Sequence, residues 1–167
     1  MILTRIASTM AAIRARLLND EVIKKLLFYD GNDALLIDED ISLNEFDIDK
    51  YITLRPIFEF ENKENYDQNS MINIYMTQAM PEEETKNIDC VIQINIVCNQ
   101  DVWGLANDKI RPIEIVNAIE RLVNNQKFTA SNRMVLNTIT DLIISKKMFG
   151  YAMLFDLTDG SGEIENF

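Results

Sequence analysis

The chain has 167 residues, of which 47% are hydrophobic and 26% are charged, which is enough apolar material for the core of one domain over residues 1–167. Its 27 acidic and 16 basic residues leave a net charge of −11, which argues against stable sequence-specific binding to nucleic acid. Its longest apolar runs are too short to span a membrane, so we expect no membrane partner.

Residues 1–37 have the periodicity of helices. Four apolar residues recur at helical spacing: Ile6, Met10, Ile13 and Leu17. They predict a helix over Leu3–Asn19, and the arginines among them indicate an amphipathic helix and not a signal peptide. Asp20 is placed to act as the N-cap of a second helix, Glu21–Tyr29.

Residues 38–70 form an acidic segment that we expect to be a solvated arm or loop. Its start, DEDISLNEFDID, matches an EF-hand calcium loop only in part. Leu43 stands where that loop needs a glycine for its sharp turn, and Asp49 stands where it needs a glutamate. The later stretch YITLRPIFEF is predicted to be extended, with Pro56 keeping it away from a central strand position.

Residues 71–159 are predicted to be the core, in the order strand, strand, helix, strand, strand. The predicted elements are strands at Met71–Met80 and Ile88–Gln100, a helix at Lys109–Gln126, and strands at Arg133–Ser145 and Tyr151–Asp159. We expect an exposed connection at Pro81–Asn87, a hairpin connection at Lys146–Gly150 and a flexible tail at 160–167. The fold class is therefore α+β, a mostly antiparallel sheet of about four strands with a helix packed on one face and additional N-terminal helices.

The helix at Lys109–Gln126 is strongly amphipathic. Its buried stripe is predicted to contain Ile113, Val116, Ile119, Leu122 and Val123, broadened by Ile115 and Ala118. Its polar face is predicted to contain Glu114, Asn117, Arg121 and Asn124. Pro112 suits a first helical position, because its missing N–H costs no helical hydrogen bond there.

The chain offers little that points to catalysis. It contains no histidine, which removes the commonest general base near neutral pH and the commonest metal ligand. Cys90 and Cys98 share one predicted strand, too far apart for a disulfide, and two thiols do not complete a zinc site. We therefore predict no catalytic residue, no cofactor and no metal, although an enzyme that uses carboxylates and lysines remains a third hypothesis.

Two short motifs in the core prompt a family resemblance. They are RPIEIVNAI at Arg111–Ile119, at the start of the predicted helix, and FGY at Phe149–Tyr151, at the predicted hairpin. With the strands around them, they resemble the small neck and tail-completion proteins of tailed bacteriophages, of the tail-terminator or head–tail connector type. The composition, rich in isoleucine, asparagine and lysine, is similar to proteins of crAss-like phages. The resemblance covers Met71–Asp159.

The resemblance implies a structural virion protein without catalytic residues. In that family a few-stranded sheet carries a helix on one face, and copies close into a ring. The expected role is a ring in the phage neck or tail connector that joins the portal or head to the tail and lines the DNA passage. The expected partners are further copies, the portal, and other neck or tail proteins, after synthesis in the host cytoplasm. The alternative is a small non-enzymatic adaptor or binding module in a cellular complex.

Seven residues are predicted to contact neighbouring subunits. They are Trp103, Arg111, Glu114, Asn117, Arg121, Phe149 and Tyr151. Tryptophan is enriched at the centres of interfaces, but one placed just before a helix is also typical of an aromatic that caps the core. Both interpretations of Trp103 stay open on the sequence.

Overall fold

The computed structural model describes residues 2–54, 68–81, 88–128 and 132–159, and its architecture is α+β. The helices are α1 (Ile2–Leu18), α2 (Glu21–Phe28), α3 (Ile48–Tyr51) and α4 (Arg111–Val123). The strands are β1 (Ile52–Thr53), β2 (Ser70–Pro81), β3 (Ile88–Asn99), β4 (Asn132–Ile143) and β5 (Met148–Asp159). Short 3-10 helices lie at Ala34–Leu36 and Gln100–Val102. The predicted fold class is confirmed.

The strands form one mixed sheet in the order β1-β2-β3-β5-β4. Strands β2 to β5 pair antiparallel, as predicted, while β1 adds a short parallel pairing of Ile52 with Ile72 and of Thr53 with Asn73. Because β5 inserts between β3 and β4, β4 becomes an edge strand of the sheet. Hairpin-connected strands lie next to each other, so the short β4–β5 connection accounts for the pairing of β4 with β5, while the pairing of β5 with β3 places β4 at the edge.

The alternation along β3 decides which face of the sheet is buried. The predicted inward row of Ile92, Ile94, Ile96 and Cys98 is fully buried against α1, α2 and α4. Each strand position alternates between the two faces, so the cross-strand partners of these residues extend the same core. A second, smaller apolar cluster of Met71, Val97 and Met148 lies on positions of opposite parity, and therefore on the opposite face.

Helix α4 is shorter than predicted, and one residue of its predicted stripe faces outward. The helix ends at Val123, because Asn124 is extended and Asn125 has a φ of 59°. Ile113 was expected to be buried, but 38% of its surface is exposed. It lies roughly 200° around the helix from Ile115, which is fully buried, so the two cannot both face the sheet.

The β4–β5 connection is also tighter than predicted. Strand β5 already begins at Met148, so Gly150 lies within a strand and not in the hairpin connection. A Cβ at Gly150 would lie 1.8 Å from the carbonyl oxygen of Ile96 on β3. This position therefore requires glycine because the two backbones approach closely.

The acidic segment is only partly a solvated arm. Ile41 and Phe46 are buried within it, and Asp47 caps α3 by accepting a hydrogen bond from the N–H of Asp49. The predicted extended stretch at 51–60 is only partly confirmed, because Tyr51 ends α3 and β1 covers only Ile52–Thr53, while residues 55–60 of the stretch fall in 55–67. Those residues, the connection at 82–87 and the tail at 160–167 lie outside the described part of the chain. Among the helices that are described, none has both the length and the hydropathy needed to cross a bilayer.

We predict that Ile119→Asp lowers the free energy of unfolding by at least about 3 kcal/mol, because it buries a carboxylate among apolar side chains. Ile119 is fully buried in the core. The matched control is Asn117→Asp, which introduces the same side chain at an exposed position of the same helix and should change stability by less than about 0.5 kcal/mol. Urea denaturation checks both variants, and equal stabilities would contradict the assigned faces of α4.

Candidate interaction surfaces

Arg111, one of the seven predicted interface residues, is instead fully buried. Its guanidinium donates to four backbone carbonyl oxygens: Nε to Val102 at 2.7 Å, Nη1 to Leu26 at 2.5 Å and Tyr29 at 2.6 Å, and Nη2 to Gly31 at 2.8 Å. Burial lowers the pKa of this group from its ordinary value, but a guanidinium remains protonated in proteins. The prediction that Arg111 lies at a surface is therefore wrong for this chain, because its side chain connects α2 to the start of α4.

Three other predicted residues lie where β3 ends and β5 begins. The Trp103 and Phe149 rings pack edge to face with centroids 6.3 Å apart, and the indole N–H of Trp103 donates to the Cys98 carbonyl at 3.2 Å. Phe149 and Tyr151 lie on the same face of β5, two positions apart. All three side chains are half-buried, so Trp103 both covers part of the core and remains accessible.

Two residues that sequence reasoning missed extend this surface onto β4. Ile143 pairs with Phe149, and Ile139 pairs with Met153, four pairs further along the strand and on the same face. Ile139 is 42% exposed and Ile143 is 73% exposed. Together with Trp103, Phe149 and Tyr151 they form a largely apolar surface that we name the edge surface, with the exposed Asp141 between the two isoleucines. The sequence predicts a strand here, but only the strand order shows that this strand lies at an edge.

The other three predicted residues line a pocket between α2 and α4. Glu114, Asn117 and Arg121 stand along the exposed side of α4 around a pocket of about 370 Å³. The remaining lining residues are Val22, Leu35, Lys109 and Ala118. We name this site the α2–α4 pocket. Its floor is apolar and its rim is charged, an arrangement that suits an apolar side chain with polar neighbours.

Two ion pairs form the rim of the α2–α4 pocket. Lys109 Nζ lies 3.1 Å from Glu114 Oε2, and Arg121 Nη2 lies 2.8 Å from Asp20 Oδ2. Asp20 also caps α2, as the sequence predicts, by accepting a hydrogen bond from the N–H of Ile23 at 3.0 Å. In both pairs the cation is the more exposed partner, so the solvent-facing atoms of each pair belong mainly to the cation.

Neither cysteine has the environment of a nucleophile. Cys90 and Cys98 are both buried and unpaired. Burial raises the pKa of the Cys90 thiol to about 11 and that of the Cys98 thiol to about 12. The reactive form is the thiolate, so both thiols are poorly reactive at neutral pH.

The acidic segment does not form a calcium loop in the described part of the chain. No group of three or more potential ligands from His, Cys, Asp and Glu converges anywhere in the ranges that the structure describes. The Glu45 carboxylate accepts a hydrogen bond from the Ser42 hydroxyl at 2.7 Å, so it serves a local turn. The missing glycine at Leu43 is consistent with this outcome.

A comparison with models of protein families shows which family the chain belongs to. The profile of the YomW family matches residues 20–157, which covers α2, α4, the strands β1 to β4 and all but the last two residues of β5. The chain belongs to the YomW family. YomW is a gene product of the SPbeta phage region of Bacillus, which is consistent with a phage-derived protein. A comparison with curated proteins gives no match. Both the edge surface and the α2–α4 pocket of this YomW-family chain lie within the matched residues.

We predict that Arg111→Met destabilises this YomW-family chain by at least about 3 kcal/mol, because it leaves several buried carbonyl groups without a donor. The control is Arg111→Lys, which keeps the charge and restores some of those hydrogen bonds, and should lose less. The midpoint of urea unfolding measures both variants. A methionine variant as stable as the original chain would show that the guanidinium is not needed for folding.

We predict that both thiols react with iodoacetamide at pH 8 at least about a hundredfold more slowly in the folded chain than in denaturing urea, because only a small fraction is thiolate. The rate should rise as the pH approaches the raised pKa values of about 11 and 12. Mass spectrometry of timed samples gives the rate for each cysteine. A folded-state rate equal to that in urea would contradict the assigned burial.

Proposed function

We propose that this chain is a structural, non-enzymatic subunit of a phage particle that works by self-assembly, forming a ring in the neck or tail connector. In that role it joins the portal or head to the tail and surrounds the passage for DNA. The observation that carries the self-assembly is the open edge of β4, where a strand with two exposed isoleucines, Ile139 and Ile143, faces solvent. The family association with a phage supports the setting.

The exposed half of β4 has peptide groups free to pair with another strand. The Ile144 N–H donates to the Met148 carbonyl at 3.0 Å, which makes these two residues a hydrogen-bonded pair. Hydrogen-bonded and non-hydrogen-bonded pairs alternate along an antiparallel ladder. The peptide groups of Ile139, Asp141 and Ile143 therefore point away from β5, and no hydrogen bond among the described residues reaches them.

The other half of β4 is already covered. The chain after α4 runs along it, so that Asn125 N–H donates to Met134 O at 2.7 Å and Met134 N–H donates to Gln126 O at 3.0 Å. The side chain of Asn124 accepts from the N–H of Leu136 at 2.9 Å. Natural proteins usually protect edge strands in this way. The contrast with the uncovered part of the same strand supports its use as a contact.

The charge of the chain is compatible with a DNA passage. A net charge of −11 gives copies placed around a channel a surface that repels the phosphate backbone. DNA would then pass such a ring without adhering to it. The rigid two-layer body, helices on one face of a sheet, matches what a ring subunit needs, because repeated contacts close accurately only between rigid bodies.

We predict that the double variant Ile139→Lys, Ile143→Lys weakens self-association at least tenfold, because lysines on an edge strand oppose pairing with another strand. Sedimentation velocity over a range of concentrations gives the association constant. The control is Ala11→Lys, an exposed position on α1, which should associate like the original chain. Thermal unfolding shows whether each variant folds, and unchanged association of a folded double variant would contradict the role of β4.

Purified phage particles test whether the protein is part of the virion and whether it lies at the neck. We expect mass spectrometry of purified phage particles that encode this chain to detect it, and gold-labelled antibodies to bind at the neck. A chain found in the infected cell bound to a cellular protein, and absent from the particles, would refute the virion role and favour the adaptor alternative.

A further inference from the structure

We propose that the α2–α4 pocket binds the turn at Ile41–Phe46 of a second copy of this chain, with the Leu43 side chain inserted into the pocket. We name this segment the Leu43 turn. The inference rests on the proposed self-assembly and adds to it, because it specifies a second contact that is separate from the edge surface.

Leu43 projects from a turn that is held at both ends. Its side chain is 60% exposed, whereas Ile41 and Phe46 on either side of it are each only 3% exposed. The N–H groups of Glu45 and Phe46 both donate to the Ser42 carbonyl at 3.1 Å, which closes the turn between these anchors. A large apolar side chain is thus presented to solvent on a defined backbone.

Two contacts hold the Leu43 turn against the rest of the chain. Lys24 Nζ, which is buried, donates to the Ile41 carbonyl at 2.9 Å. The Phe46 ring stacks on the Tyr51 ring with centroids 4.7 Å apart. A segment that is already ordered loses little conformational entropy when it binds, so the turn is prepared to act as a protrusion.

The α2–α4 pocket has the apolar surface that such a protrusion needs. Val22, Leu35 and Ala118 contribute its apolar lining. Three further apolar residues nearby in sequence are exposed. Leu36, which follows Leu35, is 59% exposed, and at the start of α4 Ile110 is 41% and Ile113 is 38% exposed. Burying a leucine against the lining side chains Val22, Leu35 and Ala118 removes apolar surface from water on both copies, which favours association.

The charges of the two surfaces are complementary. Asp40 and Glu45 flank Leu43 and are exposed. At the pocket rim, the side chains of Lys109 and Arg121 are 47% and 61% exposed, while their acidic partners are only 23% and 14% exposed. In a chain with a net charge of −11, most contacts between copies would bring acids together. This arrangement instead places acids beside cations.

The geometry of the contact fits a repeating assembly. The Leu43 turn and the α2–α4 pocket are different parts of the same copy, so each copy can give its turn to one neighbour and accept the turn of another. A contact of this heterologous type continues from copy to copy until a ring closes. The second copy is therefore the occupant that both surfaces favour.

Disulfide trapping tests the contact directly. Copies carrying Leu43→Cys are mixed with copies carrying Asn117→Cys, at the pocket, under mild oxidation. The native thiols lie buried and should contribute no background. We expect a cross-linked pair of chains on a non-reducing gel, with a yield at least fivefold above that of Leu43→Cys mixed with Ala11→Cys, an exposed position on α1 outside both proposed surfaces. High salt should lower the yield, because it screens the charged rim.

The outcomes separate this contact from the self-assembly on which it rests. Equal yields with Asn117→Cys and Ala11→Cys would overturn the contact. The contact would also be overturned if a folded Leu43→Asp variant associated like the original chain in sedimentation velocity while the β4 double variant associated more weakly. In that case self-assembly through β4 would stand alone. Absence of the chain from phage particles would refute the virion role without affecting the trapping result.

Discussion

The buried guanidinium of Arg111 is the interaction on which the rest of the structure depends. Its hydrogen bonds reach Leu26, Tyr29 and Gly31 at the end of α2, and Val102 after β3. A buried cation is stable only when its donors are satisfied, so these segments are held in one arrangement around it. Because Arg111 begins α4, the same arrangement sets the angle between α2 and α4, and with it the α2–α4 pocket. The edge surface lies close by, since the backbone N–H of Arg111 donates to the Trp103 carbonyl at 2.8 Å.

The two proposed contact surfaces use different physical principles. The edge surface combines exposed isoleucines with unpaired peptide groups, so pairing with a strand would supply main-chain hydrogen bonds and apolar burial together. The α2–α4 pocket depends on shape and charge, with an apolar floor inside a rim of exposed cations. For a chain of net charge −11, general repulsion keeps copies apart unless a contact is locally complementary. Such a balance suits a subunit that must remain soluble until it reaches its place in an assembly.

Membership of the YomW family places α2, the Leu43 turn, the pocket and the sheet within one matched region. The family association with a phage and the open edge of β4 both support the proposed role, in which the chain acts through contacts between copies. Burial raises the pKa of both thiols and leaves them poorly reactive. The proposed neck ring is the specific form of that role.

The sequence by itself determined the local elements and the chemistry that is missing. Asp20 as the cap of α2, the inward row of β3 and the buried stripe of α4 around Ile119 all follow from short-range periodicity, and the lack of histidine needs no structure. Only the tertiary structure decided that β4 is an edge strand, that Ile113 faces outward and that Arg111 is buried. Arg111 contacts Leu26 across 85 residues of chain. Periodicity records which side of an element is apolar, whereas strand order and long-range hydrogen bonds depend on how the elements pack together.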